Sequence, residues 1–198
     1  MLHLADRKTA NGNDLMIFNL FKSKAQKREE IADELYRQIV AAARQPEFYL
    51  SYAVEDSVTG RFEMIVLHAY VFFYRMKSET AKDRELSQAV FGRFFQDMDD
   101  SLREQGVGDL SVPKKIKKMA QSFYGHVEAY DQAREQGGEA LAIALSRNIY
   151  GEESTVCPEA AGLARYILLC EEKLKLQTVE DFSKGELHFP EVGPFQAD

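Results

Sequence analysis

Apolar residues recur at steps of three and four along most of the chain, and this spacing predicts amphipathic α-helices. One such run contains Ile31, Leu35 and Ile39 and ends before Pro46. Strict alternation of apolar and polar residues, which is typical of half-buried strands, is hardly present. The periodicity predicts six helices, at about residues 24–45, 58–77, 80–104, 112–135, 138–149 and 158–177.

The second predicted helix should form the centre of the fold. It is apolar nearly all the way round from Ile65 to Tyr74, a pattern typical of a helix that is buried on every side. Between the third and fourth helices, the glycines of "EQGVGD" mark a helix end, whereas Ser111 and Pro113 suit a helix cap and a first turn. These features predict an all-α fold, a single globular bundle of about six helices with a short extended C-terminal tail.

The two ends of the chain differ from its centre in composition. Residues 1–15 are polar and aperiodic, so we expect a disordered N-terminal segment, with Met16 as a second plausible start. The helical domain is expected over residues 16–190 and the tail over residues 191–198. The most apolar stretch has about thirteen residues, too few to span a bilayer, and no secretory signal pattern is visible. We expect a cytoplasmic protein, with peripheral contact at the inner face of the cytoplasmic membrane as a further option.

Net charge and cysteine content narrow the classes of function. The formal charge of −7 over 198 residues argues against a general binder of polyanions such as DNA. Cys157 and Cys170 stand thirteen residues apart without a histidine pair nearby, so a zinc site is not expected. No phosphate-binding loop, nucleophile elbow or Glu-x-x-His pair occurs. We expect no cofactor, no metal and no catalytic residue.

The acidic stretch "DMDD" raises one enzymatic alternative. Helical enzymes that act on isoprenoid diphosphates hold magnesium with aspartate clusters, because hard cations need several oxygen ligands. Here Met98 belongs to a buried stripe, so Asp99 and Asp100 should point obliquely outward, and no second aspartate-rich element faces them. A helical enzyme or carrier for an isoprenoid-like or quinone-like ligand, with a metal at the aspartates, is therefore the second hypothesis.

A basic cluster follows the acidic stretch across a glycine turn. The lysines of "PKKIKK" can line one side of a helix and meet phosphates or an acidic peptide, or they can simply form a solvated face. An arginine before the turn can extend the cluster, and the aspartates can pair with the lysines across it. The predicted partner-binding residues are Arg103, Lys114, Lys117, Lys118, Asp99 and Asp100.

A second candidate contact lies near the N-terminus, in "MIFNLFKSKAQKR". Phe18 and Phe21 are followed by Lys22 and Lys24. Apolar anchors beside basic residues suit an anionic membrane surface or a partner with a groove for a helix. The alternative is that the two aromatic side chains fold back onto the core.

Several blocks of the sequence resemble the ubiquinol–cytochrome c chaperone family in its short bacterial form. They are "VTGRFEMIVLHAYVFFYRMK", "FQDMDDSLREQGVGDLSVPKKIKKMAQSFYGHVEAYDQA", "ALSRNIYG" and "GELHFP". The resemblance runs from about Met16 to Pro190. It is specific because the central block combines an LRE-x-GVGD turn with VPK-x-x-K-x-MA-x-x-FYG.

The resemblance implies a helical binding protein without catalysis. Mitochondrial members of this family are assembly factors of the cytochrome bc1 complex that bind newly made cytochrome b. Some also bind the ribosome or the messenger that encodes cytochrome b, together with a small partner protein. The resemblance therefore implies cytochrome b or another bc1 subunit as the partner, and the ribosome or a small helical protein as further partners. In that setting, the acidic helix end and the basic helix start would form a polar ridge that holds a partner by complementary charge.

Overall fold

The computed structural model describes residues 12–77, 80–152 and 156–195, and for residues 12–22 it describes the backbone alone. These residues form helices joined by turns and loops, without a strand. The longer helices are α1 (Gly12–Ala43), α3 (Val58–Met76), α4 (Ala81–Glu104), α5 (Val112–Gln136) and α7 (Pro158–Lys175). The shorter ones are α2 (Glu47–Leu50), α6 (Gly138–Leu145) and α8 (Val179–Ser183), and a π-helical turn at Ser146–Tyr150 continues α6. The predicted all-α fold is confirmed.

The boundaries differ from the prediction in three places. Helix α1 begins at Gly12 rather than at about residue 24, while residues 1–11 lie outside the described part of the chain. The short helices α2 and α8 were not predicted. At the start of α5, Ser111 is the N-cap residue and Pro113 lies in the first turn, as predicted, but the Ser111 side chain makes no capping hydrogen bond. The expected disorder of residues 1–15 stays a prediction.

Helix α3 is the centre of the bundle, as its composition predicts. It packs against α1, α4, α5 and α7, and every residue from Glu63 to Phe72 is buried. Its N-terminus is capped by Ser57, whose hydroxyl accepts a hydrogen bond from the Gly60 N–H at 3.2 Å. This helix therefore fixes the positions of the surrounding helices.

Helices α1 and α4 run side by side in the same direction. Near the start of α4, Arg28 pairs with Glu85 at 2.6 Å. Two to three turns further along both helices, the Tyr36 hydroxyl donates a hydrogen bond to Asp97 at 2.8 Å. Helix α5 then returns along α4 after the loop of residues 105–111, so that α4 and α5 form a helical hairpin on one side of α3.

The segment after α8 is extended and lies against the helices. Leu187 and Val192 are buried in the core, and Phe195 packs on Tyr52 with ring centroids 5.4 Å apart. Glutamine side chains accept hydrogen bonds from its backbone N–H groups: Gln38 from Leu187 (2.6 Å), Gln45 from Val192 (2.8 Å) and Gln177 from His188 (2.8 Å). We call residues 184–195 the C-terminal strap.

Candidate partner-binding surface

The loop end of the α4–α5 hairpin brings the predicted acidic and basic residues together. Asp99, Asp100 and Arg103 lie in the last turns of α4, whereas Lys114 and Lys117 lie in the first turns of α5. The loop of residues 105–111 separates the two groups. The charged residues that are neighbours in sequence across the glycine turn therefore lie at the same end of the hairpin.

Two of the three aspartates, Asp97 and Asp99, are engaged by protein side chains, whereas Asp100 is exposed. Asp97 accepts a hydrogen bond from the Tyr36 hydroxyl, and Arg93 lies 3.8 Å from its second oxygen. Burial, and then the neighbouring Asp97, raise the pKa of Tyr36. Asp99 pairs with Arg103 at 2.5 Å. Over the residues that the structure describes, no three histidine, cysteine, aspartate or glutamate side chains are arranged to hold a metal ion.

Arg103 ties the end of α4 to the loop that follows. Its guanidinium pairs with Asp99 one turn earlier in α4 and also contacts Asp109 in the loop. The hydrogen bond with Asp99 is the main reason why the pKa of Arg103 is raised above its ordinary value. The arginine that was expected to extend the basic cluster is therefore neutralised by two carboxylates.

The lysines of α5 present an unneutralised positive surface. Lys114, Lys115, Lys117 and Lys118 are all exposed. Within the described ranges, none of them forms an ion pair. The expected pairing of the aspartates with these lysines is therefore not observed, and Asp99 pairs with Arg103 instead. We call these residues the lysine cluster. The backbone N–H groups of the first turn of α5 add positive potential to it.

The N-terminal candidates lie at the other end of α4. Phe18, Phe21 and Lys22 belong to α1, but their side chains lie outside the described part of the structure, whereas Lys24 is exposed. Because Arg28 pairs with Glu85, this region of α1 lies beside the start of α4. Glu85 and Asp99 are about 21 Å apart along the helix axis. The two predicted contact regions are therefore separate.

The same hairpin carries an apolar groove that the sequence did not predict. The groove has a volume of about 400 Å³ and lies between α3, α4 and α5. Phe91 and Tyr124, which both line it, pack against each other with ring centroids 6.0 Å apart, and 59% of Tyr124 is exposed. The remaining lining residues are Phe73, Ser87, Gln88, Phe123 and Val127. The sequence held one indication of this groove. Phe91 and Phe95 extend the apolar face of α4 to one side of its buried stripe.

A second cavity, of about 330 Å³, is charged but internally paired. It lies where α3, α5 and α7 meet. The guanidinium of Arg134 stands over the Tyr74 ring at 4.1 Å and contacts both oxygens of Glu171, at 2.6 and 2.7 Å. At its edge, Lys77 pairs with Asp131 at 2.7 Å. These contacts hold three helices together and leave little free charge for a ligand.

His68 is a buried core residue, as expected from its place in the central helix. Its Nδ1–H donates to the Met64 carbonyl at 2.8 Å, so Nε2 accepts from the Tyr166 hydroxyl at 3.1 Å. Burial lowers the pKa of His68 to about 4. Nδ1 of His126 lies 2.9 Å from the Glu63 carboxylate, at ion-pair distance but without hydrogen-bond geometry. Both histidines therefore face groups inside the protein.

A profile of ubiquinol–cytochrome C chaperones matches residues 50–189. The chain belongs to the ubiquinol–cytochrome c chaperone family. The resemblance seen in the sequence is thereby confirmed, and its most specific block, from "LREQGVGD" to "FYG", covers the loop end of the α4–α5 hairpin and the lysine cluster.

Relatives and one solved structure agree with this membership. The chain is 24% identical over 119 residues to ubiquinol-cytochrome c reductase complex assembly factor 1 of Mus musculus. The matched region covers 60% of this chain and 40% of the mouse protein. For the Xenopus laevis protein of the same name, the identity is 19% over 78% of the chain and 70% of that protein. The crystal structure of the Cbp3 homolog from Brucella abortus is similar with 40% identity and a TM-score of 0.78, over 88% of this chain and 97% of that chain.

The chain thus spans less than half of the length of the mouse relative that it matches. Within the described residues, no helix is both long enough and apolar enough to cross a membrane. The α4–α5 hairpin carries both candidate surfaces of this chain. Charged groups lie at its loop end, and aromatic side chains lie along its side.

Proposed function

We propose that the chain is a non-catalytic assembly chaperone that binds newly made cytochrome b or another bc1 subunit and assists the assembly of respiratory complex III. The observation that carries this proposal is the family match over residues 50–189. The names of the mouse and frog relatives, assembly factors of ubiquinol-cytochrome c reductase, support the same role. The ribosome and a small helical protein are further proposed partners, and DNA is not one.

The proposed contact surface is the loop end of the α4–α5 hairpin. Exposed, unpaired lysines attract acidic groups of a partner and raise the rate and specificity of association more than the final affinity. The partner-binding roles of Asp99, Asp100 and Arg103 follow from their position beside the lysine cluster. We also propose a peripheral membrane or partner contact through the start of α1, with Phe18, Phe21, Lys22 and Lys24, at the cytoplasmic face of the membrane.

The test is complementation of a host strain that lacks the gene. The variant carries Lys114→Glu, Lys117→Glu and Lys118→Glu, and the matched control carries Lys82→Glu, Lys173→Glu and Lys175→Glu, which are exposed elsewhere and change the net charge equally. We expect the first variant to lower the amount of assembled bc1 complex, measured by haem spectra of membranes, while the control restores it. Both should keep the helical circular-dichroism spectrum. Full restoration by the first variant would show that the lysines are a solvated face.

The enzymatic alternative has a separate test. A magnesium-dependent enzyme should show a rise in melting temperature with Mg²⁺ that disappears in Asp99→Asn. A chaperone whose Asp99 is engaged by Arg103 should show neither effect. A magnesium-dependent shift confined to the wild-type chain would refute the non-catalytic proposal.

A further inference from the structure

We infer that the groove between α4 and α5 receives an apolar α-helix of the client protein, oriented by opposite charges at the two ends of the groove. This inference rests on the proposed chaperone function and assigns the apolar contacts with the client to residues outside the lysine cluster. The groove is lined by Phe91, Tyr124 and Val127 among others, and more than half of the Tyr124 surface is exposed. Aromatic side chains of this size are enriched where proteins bind partners.

One glycine of α4 lies beside the groove where a partner would approach. Gly92 follows the lining residue Gln88 by one turn, whereas Gly125 is turned about 100° from Tyr124, away from Phe123 and Val127. Both are exposed positions in the middle of long helices, and a Cβ added to either would have no neighbour within 4 Å. Glycine at such a position destabilises a helix, and no contact inside this protein requires it. An intermolecular contact that brings a second backbone close to α4 accounts for Gly92.

The bound segment must be an α-helix, because its backbone N–H and C=O groups need hydrogen-bond partners. The described residues contain no sheet edge, and the N–H and C=O groups in the middle of α4 and α5 are used within those helices. A segment that enters the apolar groove finds few backbone groups to pair with, so its own N–H and C=O groups must form hydrogen bonds with each other. An α-helix does this, whereas an extended peptide does not.

Charges along α5 give the occupant a direction. On the face that carries Tyr124, Lys117 lies two turns earlier and Glu128 lies one turn later. The two charges are about 16 Å apart along the axis. Lys114 and Lys118 strengthen the positive end, and both ends are exposed. The complementary occupant has acidic residues at the end near the lysine cluster and neutral or basic residues near Glu128.

The test uses the full chain with a photoreactive phenylalanine analogue in place of Tyr124, expressed in host cells that are making the bc1 complex. The matched position is Leu169 on α7, which is 40% exposed and belongs to a helix that does not line the groove. After irradiation, we expect a covalent adduct with cytochrome b from position 124 and none from position 169.

A second pair of variants separates binding from stability. Gly92→Gln and Gly125→Gln add helix-forming side chains, so each should leave the melting temperature equal or higher. Gly92→Gln should also lower the adduct yield from position 124 about tenfold or more, the effect of overpacking a close contact. Gly125→Gln, on the side of α5 turned away from the groove, should leave the yield unchanged and serves as the control. A stable Gly92→Gln variant with an unchanged yield would refute the role of Gly92.

The remaining outcomes distinguish the inference from the function on which it rests. If cytochrome b is captured with affinity-tagged chain but crosslinks equally from positions 124 and 169, the groove is wrong and the chaperone proposal stands. An adduct with phospholipid alone would refute a helical client in the groove. If no bc1 subunit is captured with a folded chain, both proposals fail together.

Discussion

The side chain of Gln38 fixes the backbone of the C-terminal strap around Leu187. Its Oε1 accepts the Leu187 N–H at 2.6 Å, while its Nε2 donates to the Gly185 carbonyl at 2.7 Å. One planar amide therefore replaces the backbone partners that a neighbouring strand would otherwise provide. Gln45 repeats the arrangement with the Pro190 carbonyl and the Val192 N–H. In this way an extended segment is held on a helical surface without a sheet.

Replacing the amide of Gln38 should loosen the strap. We expect Gln38→Leu to lower the free energy of unfolding by about 1–3 kcal/mol, because it leaves the Leu187 N–H and the Gly185 carbonyl without a partner. Amide hydrogen exchange should show faster exchange at Leu187 than in the wild-type chain. The control is Gln26→Leu, since the side chain of Gln26 is exposed and makes a long hydrogen bond to Glu30, at 3.4 Å. Equal exchange rates in wild type and Gln38→Leu would contradict the assigned role.

Acid should weaken the fold through His68. Its pKa is about 4 in the folded protein and ordinarily 6.5, so the unfolded chain binds a proton that the folded chain excludes. The folded state therefore loses stability as the pH falls below 6.5, and the loss continues down to about pH 4. A difference of this size corresponds to about 3 kcal/mol.

The measurement is the urea midpoint across that range for the wild type and for His68→Gln. Glutamine does not titrate, so we expect a smaller fall in its midpoint between pH 6.5 and pH 4 than in the wild type. Carboxylates contribute equally to both proteins and cancel in the comparison. Parallel curves for the two proteins would show that the protonation of His68 does not limit stability.

Two helical glycines should respond in opposite directions to alanine. A Cβ on Gly60 would lie 2.0 Å from the Glu55 carbonyl oxygen, a backbone atom that cannot move aside alone. We expect Gly60→Ala to destabilise the fold by about 1–3 kcal/mol or more. Gly92→Ala meets no neighbour and should stabilise it by up to about 1 kcal/mol. Urea unfolding followed by circular dichroism measures both, and a stabilising Gly60→Ala would contradict the close approach of Gly60 to the Glu55 carbonyl.

The sequence predicts the long helices well because their burial leaves a periodic trace. Helix α3 could be assigned to the centre since it is apolar on every side. The short elements leave no such trace: α2 has four residues and α8 has five, fewer than two turns each. The π-helical turn at Ser146–Tyr150 widens the helix by one residue per turn, which a periodicity of 3.6 does not reveal.

The candidate site was predictable only where neighbours in sequence are neighbours in space. The exposure of Lys114 and Lys117 follows from their position opposite the apolar stripe of α5. The pairing of Arg103 with Asp109 depends on how the connecting loop folds, and so it was missed. Phe91 and Tyr124 come from different helices, and their shared groove depends on how α4 and α5 are rotated against each other. Rotation of this kind is set by packing in three dimensions.

The glutamine contacts of the strap also set the order in which the protein can be completed during translation. Gln38 belongs to the first helix and Gln45 directly follows it, and their backbone partners come between 145 and 149 positions later. When α1 emerges from the ribosome, those partners have not yet been polymerised. Nascent chains that stop before Leu187 therefore keep apolar core surface open to water, which marks them for aggregation or degradation. Only chains that contain both segments can bury this surface, so the fold cannot be completed before the last part of the chain has been made.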